Sequence, residues 1–217
     1  ASFDPLTGLA NRAVLLAELN QLLKKSAVGQ QQIAVFSLDL DEFKQINESL
    51  GHLVGDQLLQ QVARRLDLLT ERPALLARSG GDEFVLLYQL DCTELQLETR
   101  CRAILQLFSE HFLFEDRVLS ISTSIGVALF PADGNTASDL LKHAERAMYE
   151  AKQLGRNNFH FYDIRMQEQA DKFVLLHHEI LSGIEQRQFY LVYQPILTVG
   201  SHRFTKCEAL VRWQHPE

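Results

Sequence analysis

Arg78-Ser79-Gly80-Gly81-Asp82-Glu83-Phe84 decides how this chain is read. The apolar run Leu75-Leu76-Ala77 precedes it and Val85-Leu86-Leu87-Tyr88 follows it. Two strand-like segments meeting at a Gly-Gly pair predict a tight β-hairpin, because glycine takes positive φ without steric cost. Such a turn has no need of two adjacent carboxylates. Asp82 and Glu83 begin the return strand, where neighbouring side chains point to opposite faces. Glycines also let a bulky group approach the backbone. The stretch reads either as a metal-and-phosphate site or as a solvated turn.

Working outward, Ile33 to Leu40 is nearly continuously apolar, as a strand covered on both faces should be, and Asp39 interrupts it near its end. Asp41 is placed to cap a short helix through Ile46, and Gly51 to Gly55 form a break. Leu15 to Leu23, Leu58 to Leu69, Leu97 to Phe108 and Leu140 to Ala151 carry apolar residues at helical spacing, the second of these helices opening at Asp56. The third is expected to span Thr93 to Phe112, and the fourth to end at Gly155. Val118 to Phe130 reads as one strand and Phe159 to Tyr162 as a short closing strand. This irregular order predicts an α+β fold, with a mixed sheet and helices on one side of it, rather than a doubly wound one. Beyond Tyr162, residues 163–187 read as a helical connector, and 188–217 as two strands around Gly200-Ser201.

A chain of 217 residues, 46% of them hydrophobic, can bury a core of one domain or slightly more. Its net charge of −7 argues against coating a polynucleotide or an anionic membrane, but not against a nucleotide bridged by magnesium. The three cysteines are odd in number and lack CxxC spacing, as expected of reduced thiols in the cytoplasm. No apolar run approaches the ~18 residues of a membrane span. The opening Ala1-Ser2-Phe3-Asp4 is expected to continue something longer, such as an upstream sensor.

If the strand ending at Asp39 neighbours the hairpin, Asp39, Asp82 and Glu83 converge. Clustered acids repel unless a cation joins them, and hard oxygen ligands suit Mg²⁺. The helix start at Asp41-Glu42-Phe43-Lys44 offers free N–H groups and a lysine to phosphate oxygens. The competing reading of Asp39 alone is a strand-end cap or an ion-pair partner.

At these residues the chain resembles the GGDEF family, the bacterial diguanylate cyclases, over Asp4 to Tyr162. The resemblance is carried by Asp4-Pro5-Leu6-Thr7-Gly8-Leu9 with Asn11-Arg12, Leu38-Asp39-Leu40-Asp41 with Phe43-Lys44 and Ile46-Asn47, and Gly51-His52 with Gly55-Asp56. The hairpin, Ser124-Ile125-Gly126-Val127-Ala128, and Ala151-Lys152 with Gly155-Arg156-Asn157 complete it. The resemblance implies a palm-like fold, 1–162 as the cyclase domain, and conversion of two GTP into cyclic di-GMP and two pyrophosphates. It implies that Asp39, Glu83 and the Leu40 carbonyl hold Mg²⁺ (or Mn²⁺), two ions per GTP, and that Asp82 and Glu83 are catalytic, Asp82 being the better candidate to draw the 3′-hydroxyl proton, either directly or through metal-bound water. Asn47 and Asp56 match guanine-reading positions and Lys44, Lys152 and Arg156 phosphate-binding ones, while Phe43, Gly80 and Gly81 count among the nucleotide-binding positions, the glycines letting the backbone approach the nucleotide. On their own Asn47 could cap a turn, Asp56 a helix, and the cations could simply be solvated. One GTP per subunit implies a catalytic homodimer.

Two departures stand out. Glu71 and Ala74 replace the Arg and Asp of the family's inhibitory product site, so feedback through that site is not expected. Glu145 stands where the family usually carries Asp. In the tail, Tyr193-Gln194-Pro195-Ile196 and Cys207 to Trp213 resemble the opening of an EAL phosphodiesterase barrel, with Glu208-Ala209-Leu210 as its signature and Glu208 a metal ligand. Such a barrel needs ~250 residues, so this chain is not expected to hydrolyse cyclic di-GMP. His177-His178, adjacent on a helix, do not share a face and are not expected to bind a metal. A GTP-binding regulator without turnover, or a dimerisation module, are the competing readings.

Overall fold

The structure, a computed structural model, describes residues 2–29, 31–69, 73–90, 94–114, 117–163, 176, 179–198 and 203–214. It divides into two compact units, Ala1–Met166 and Gln167–Glu217.

In the first unit the elements run α1 (Arg12–Gly29), β1 (Gln32–Leu40), α2 (Phe43–Leu50), α3 (His52–Asp67), β2 (Leu75–Gly80), β3 (Glu83–Leu90) and α4 (Glu94–Ser109). There follow β4 (Phe112–Phe114), β5 (Arg117–Leu119), β6 (Thr123–Phe130), α5 (Ala137–Gln153) and β7 (Phe159–Phe161). The main sheet has the order β2-β3-β1-β6-β7. It is antiparallel except for the parallel β6–β7 pair, which makes it the mixed, mainly antiparallel sheet of a palm-like α+β fold.

The central strand β1 is buried from Ile33 onward and sends alternate residues to two cores. Ala34, Phe36, Leu38 and Leu40 join Leu58, Val62 and Leu66 of α3 and Leu97, Ile104 and Phe108 of α4. Ile33 and Val35 join Leu15 and Leu19 of α1 and Leu140 and Ala144 of α5. Helices therefore cover both faces, not one. The unbroken apolar run of β1 carried that information, since a strand wet on one side would alternate with polar residues.

Other expectations are corrected locally. Val118 to Phe130 is not one strand: β5 pairs with β4 in a separate two-stranded sheet, and β6 belongs to the main one. Phe112 lies in β4 beyond the end of α4. The chain rejoins at Gly51, which ends α2 and begins α3, so Gly55 and Asp56 lie inside a helix rather than in a break. Asp56 consequently does not cap α3.

Gly55 permits a close approach. A Cβ there would stand 1.9 Å from Asn47 Oδ1 and 3.2 Å from Phe43 Cζ, so the side chains of α2 rest directly on the α3 backbone.

In the second unit β8 (Phe189–Thr198) pairs antiparallel with β9 (Arg203–Trp213), and residues 179–185 are helical. Trp213 stacks on Phe189 at 4.9 Å between centroids and donates from Nε1 to Gln188 Oε1 at 3.1 Å. Glu208, Ala209 and Leu210 lie opposite Gln194, Tyr193 and Val192. Most of the expected connector, including His177-His178, lies outside the described residues, as does Glu71.

Candidate active site

The antiparallel register sets Asp39 directly opposite Glu83 on one side and Ser124 on the other. Side chains alternate along a strand, so Asp39 shares the face of Ile33 and Val35, and Glu83 shares that of Val85 and Leu87. All four apolar residues belong to the core under α1 and α5. The two carboxylates are thus cross-strand neighbours on one face, the arrangement in which like charges repel most. Asp82 lies in the turn itself, and its carbonyl accepts from Leu40 N–H at 3.4 Å.

Gly80 and Gly81, with φ of 146° and 53°, turn the chain as expected of that pair. Arg78 braces the turn. Its Nε and Nη2 donate to the Gly81 carbonyl at 3.0 and 2.6 Å, and its Nη1 donates to both oxygens of Asp4 at 2.9 and 3.0 Å. Burial alone would raise the Asp4 carboxyl, but hydrogen bonds from Thr7 and Arg78 outweigh it and hold its pKa below the usual value. Ser79 Oγ donates to Glu83 Oε2 at 3.0 Å.

Asp39 is 7% exposed. Burial drives its carboxyl upward, the nearby Lys152 opposes this, and the charges of Asp82 and Glu83 add to it, leaving a pKa of about 6. Lys152 Nζ lies 2.6 Å from Asp39 Oδ1, whose buried lone pairs have no well-directed hydrogen bond among the described residues. Burial and the like charges thus outweigh the ammonium beside it. Glu145 of α5 feels the same field: burial, then Glu83, raise its pKa, with Arg12 opposing.

The group implied here is a hard divalent cation, and the donors fit it. Mg²⁺ is commonly held by one or two carboxylates together with substrate phosphates rather than by an all-protein cage. Asp39 and Glu83 supply two carboxylates, and among the described residues no cluster of three His, Cys, Asp or Glu offers a full cage. A carboxyl raised from 3.8 to about 6 favours the folded state most at low pH. Between those values the folded chain binds more protons than the unfolded one, so stability falls as pH rises through the window, by about 3 kcal/mol in all. In chelator, Asp39→Asn should therefore melt above wild type at neutral pH, and the gap should narrow toward about pH 4.5. Calorimetry across that range checks this; a variant that melts lower at neutral pH contradicts it.

Around this centre the remaining residues fall into place unevenly. Asn47 Oδ1 is buried against Gly55 without a hydrogen-bond partner among the described residues, and so is an acceptor awaiting a donor. Asp56, exposed, follows Gly55 on α3. Lys44 is exposed and pairs only loosely with Glu48, at 3.6 Å. Phe43 opens α2 and is buried, and Arg156 sits in an exposed turn after α5 with φ of 62°. Ala74 is exposed and donates its N–H to the Leu87 carbonyl at 2.7 Å.

Asp41 is not the helix cap that its neighbours in sequence predict. It does not cap α2, whose N-cap is Glu42 without a side-chain hydrogen bond. Instead its buried carboxylate accepts from Ser122, Ser124 and Asn157. The alternation Ser120-x-Ser122-x-Ser124 was the available signal, because period two puts those hydroxyls on one side. A cleft of about 580 Å³, lined in part by Asp41, Glu42, Arg156 and Asn157, opens beside this joint.

Residues 1–158 match the family described as "Diguanylate cyclase, GGDEF domain". The chain belongs to the GGDEF family. The GGDEF domain of YfiN (TpbB) from Pseudomonas aeruginosa superposes with a TM-score of 0.74 at 32% identity, covering 78% of this chain and 99% of that one. A sensory box/GGDEF family protein from Caulobacter crescentus gives 0.67 at 35% identity, covering 71% and 100%. Among curated relatives, the bifunctional diguanylate cyclase/cyclic di-GMP phosphodiesterase MucR of P. aeruginosa is 36% identical over all 217 residues, which span 32% of its length. The cyclic di-GMP phosphodiesterase NbdA of the same organism is also 36% identical, the match spanning 28% of its length. This GGDEF chain thus spans about a third of the curated relatives it matches. It carries the hairpin that names the family without a substitution.

Proposed function

We propose that this GGDEF domain condenses two GTP into cyclic di-GMP and two pyrophosphates, as a Mg²⁺-dependent homodimer. The observation that supports it is the cross-strand pair Asp39 and Glu83, a buried and a half-buried carboxylate on one face, with the pKa of Asp39 raised. The reaction is attack of a ribose 3′-hydroxyl on the α-phosphate of a second GTP, a matter of positioning and charge neutralisation. Mg²⁺, when bound, neutralises phosphate charge and favours the ionised hydroxyl. Asp39, Glu83 and the Leu40 carbonyl hold it. Asp82, at the turn, takes the 3′-hydroxyl proton. Lys152, released from Asp39, and Lys44 and Arg156 hold the triphosphate, whose oxygens also meet the N–H groups at Phe43, and Gly80 and Gly81 leave room for the nucleotide. Asn47 and Asp56 read guanine: a carboxylate accepts from guanine N1–H and N2–H₂, whereas adenine offers a bare N1.

Gly55→Ala gives a separable check on that reading. The added methyl meets the end of a flexible side chain, Asn47 Oδ1, rather than backbone. The fold should survive with a stability loss within ~1 kcal/mol, while displacement of Asn47 weakens GTP binding roughly tenfold or more. Calorimetric titration with GTP and a urea melt read the two effects apart; unchanged GTP affinity would contradict the assignment of Asn47.

Each subunit brings one GTP, so two must meet across a twofold axis, and cyclic di-GMP formation should rise faster than linearly with protein concentration. A second reading is favoured by the relatives named phosphodiesterases. In it, the domain binds GTP without turnover and regulates an EAL domain, of which Glu208-Ala209-Leu210 and the strands around them are the opening. An upstream sensor and cytoplasmic GTP complete this picture. Incubation with GTP and Mg²⁺ followed by chromatography separates the readings. Cyclic di-GMP supports the first, GTP binding without product the second, and no nucleotide binding defeats both.

A further inference from the structure

Asp41 is 6% exposed, yet its carboxylate is bonded to segments distant in sequence. Ser124 Oγ donates to Oδ1 at 2.6 Å, Ser122 Oγ to Oδ2 at 2.6 Å, and Asn157 N–H to Oδ2 at 3.0 Å. Its own N–H donates to the Ser122 carbonyl at 2.9 Å. A buried acid beside a helix start would ordinarily turn onto the first N–H groups of that helix. This one turns away, joining the end of β1 to the start of β6 and to the turn after α5.

The turn it reaches is unfavourable backbone. Gly155, Arg156 and Asn157 have φ of 114°, 62° and 48°. Two successive non-glycine residues in the left-handed region persist only where surrounding contacts over-determine them. Arg156 N–H donates to the Ala151 carbonyl at 3.1 Å, a bond local to the end of α5. Among the described residues two bonds tie this turn to other parts of the fold: Asn157 N–H donates to Asp41, and Ile125 N–H of β6 donates to the Asn158 carbonyl at 3.0 Å, but only the first holds the left-handed pair itself. A backbone N–H can only donate, so the tie depends on an acceptor at Asp41.

We infer that Asp41 is a positioning residue for Arg156: it fixes the left-handed turn that presents the guanidinium to the triphosphate, and binds that turn to the corner between β1 and α2. The inference rests on the GTP reading above and adds to it a residue that touches no substrate.

The test is a double-mutant cycle on the whole chain, with affinity for 3′-deoxy-GTP and Mg²⁺ read by titration calorimetry. This analogue lacks the attacking hydroxyl, so binding is separated from turnover. Asp41→Ala should weaken binding roughly tenfold, as expected on losing a charge-assisted hydrogen bond. Asp41→Asn should recover most of it, because the amide oxygen can accept from Ser122 and Asn157 while its NH₂ donates to Ser124 Oγ. In an Arg156→Ala background, Asp41→Ala should cost nothing further. If Asp41→Ala does not fold, Asp41→Ser, too short to reach Asn157, takes its place with the same expectations. A loss of equal size with and without Arg156, or no rescue by Asn, overturns the inference alone. Wild-type protein that binds no 3′-deoxy-GTP overturns it together with the GTP reading.

Discussion

Glu83→Gln should abolish cyclic di-GMP formation, lowering it by on the order of a thousandfold or more, while the domain stays folded. The two halves of that expectation have the same cause. Glu83 faces Asp39 across the β1–β3 ladder and contributes to pushing its pKa to about 6. Without a cation the pair is repulsive, so removing one charge relieves the fold. In the proposed mechanism the pair holds a cation, so removing one charge removes a ligand. Gln keeps the volume and can still accept from Ser79 Oγ, which donates to Glu83 Oε2 at 3.0 Å. Activity within tenfold of wild type would mean that Glu83 is not a ligand of the catalytic ion. A large drop in melting temperature would mean that its role is structural.

Gly126→Val should prevent folding, and even Gly126→Ala should cost about 3 kcal/mol or more. Gly126 lies in β6, opposite Ser37 of β1 and alongside β7. A Cβ on it would stand 2.0 Å from the Ala144 carbonyl oxygen, 2.1 Å from Met148 N and 2.8 Å from the Ala147 carbonyl carbon. All three are backbone atoms, so no rotamer change makes room. The whole of α5 would have to lift from the sheet, and α5 carries Lys152 in its last turn and leads to the Arg156 turn. Gly55 makes the contrast, since its neighbour is a movable side chain. Urea unfolding of Gly126→Ala beside Gly55→Ala reads the difference; equal midpoints would show that α5 does not seat on β6 this closely.

The site was legible in sequence where period-two alternation and strand adjacency sufficed. Asp39 interrupts an apolar strand, Glu83 follows a Gly-Gly turn, and once the two strands are neighbours the acids meet. What was not legible depends on partners distant along the chain. Asp41 looks like a helix cap from its neighbours in sequence, and becomes a joint only when Ser122, Ser124 and Asn157 arrive from more than 80 residues away. Lys152 is a plausible phosphate ligand at the end of α5, but its ion pair with Asp39 appears only when α5 lies on β6. The two-sided sheet was misjudged for another reason. Element order suggested one layer of helices, whereas the unbroken burial of β1 required two. The split of Val118 to Phe130 followed from β5 pairing locally with β4, a choice that β-propensity does not distinguish from one long strand.

The proposed reaction requires divalent cations to gather where β1 ends and the hairpin turns. Anomalous diffraction from Mn²⁺ in crystals grown with 3′-deoxy-GTP measures this directly. Peaks within carboxylate-ligand distance of both Asp39 and Glu83, with the triphosphate beside Lys152 and Arg156, are the expected result. A nucleotide seated elsewhere, or manganese that avoids Asp39, would contradict it.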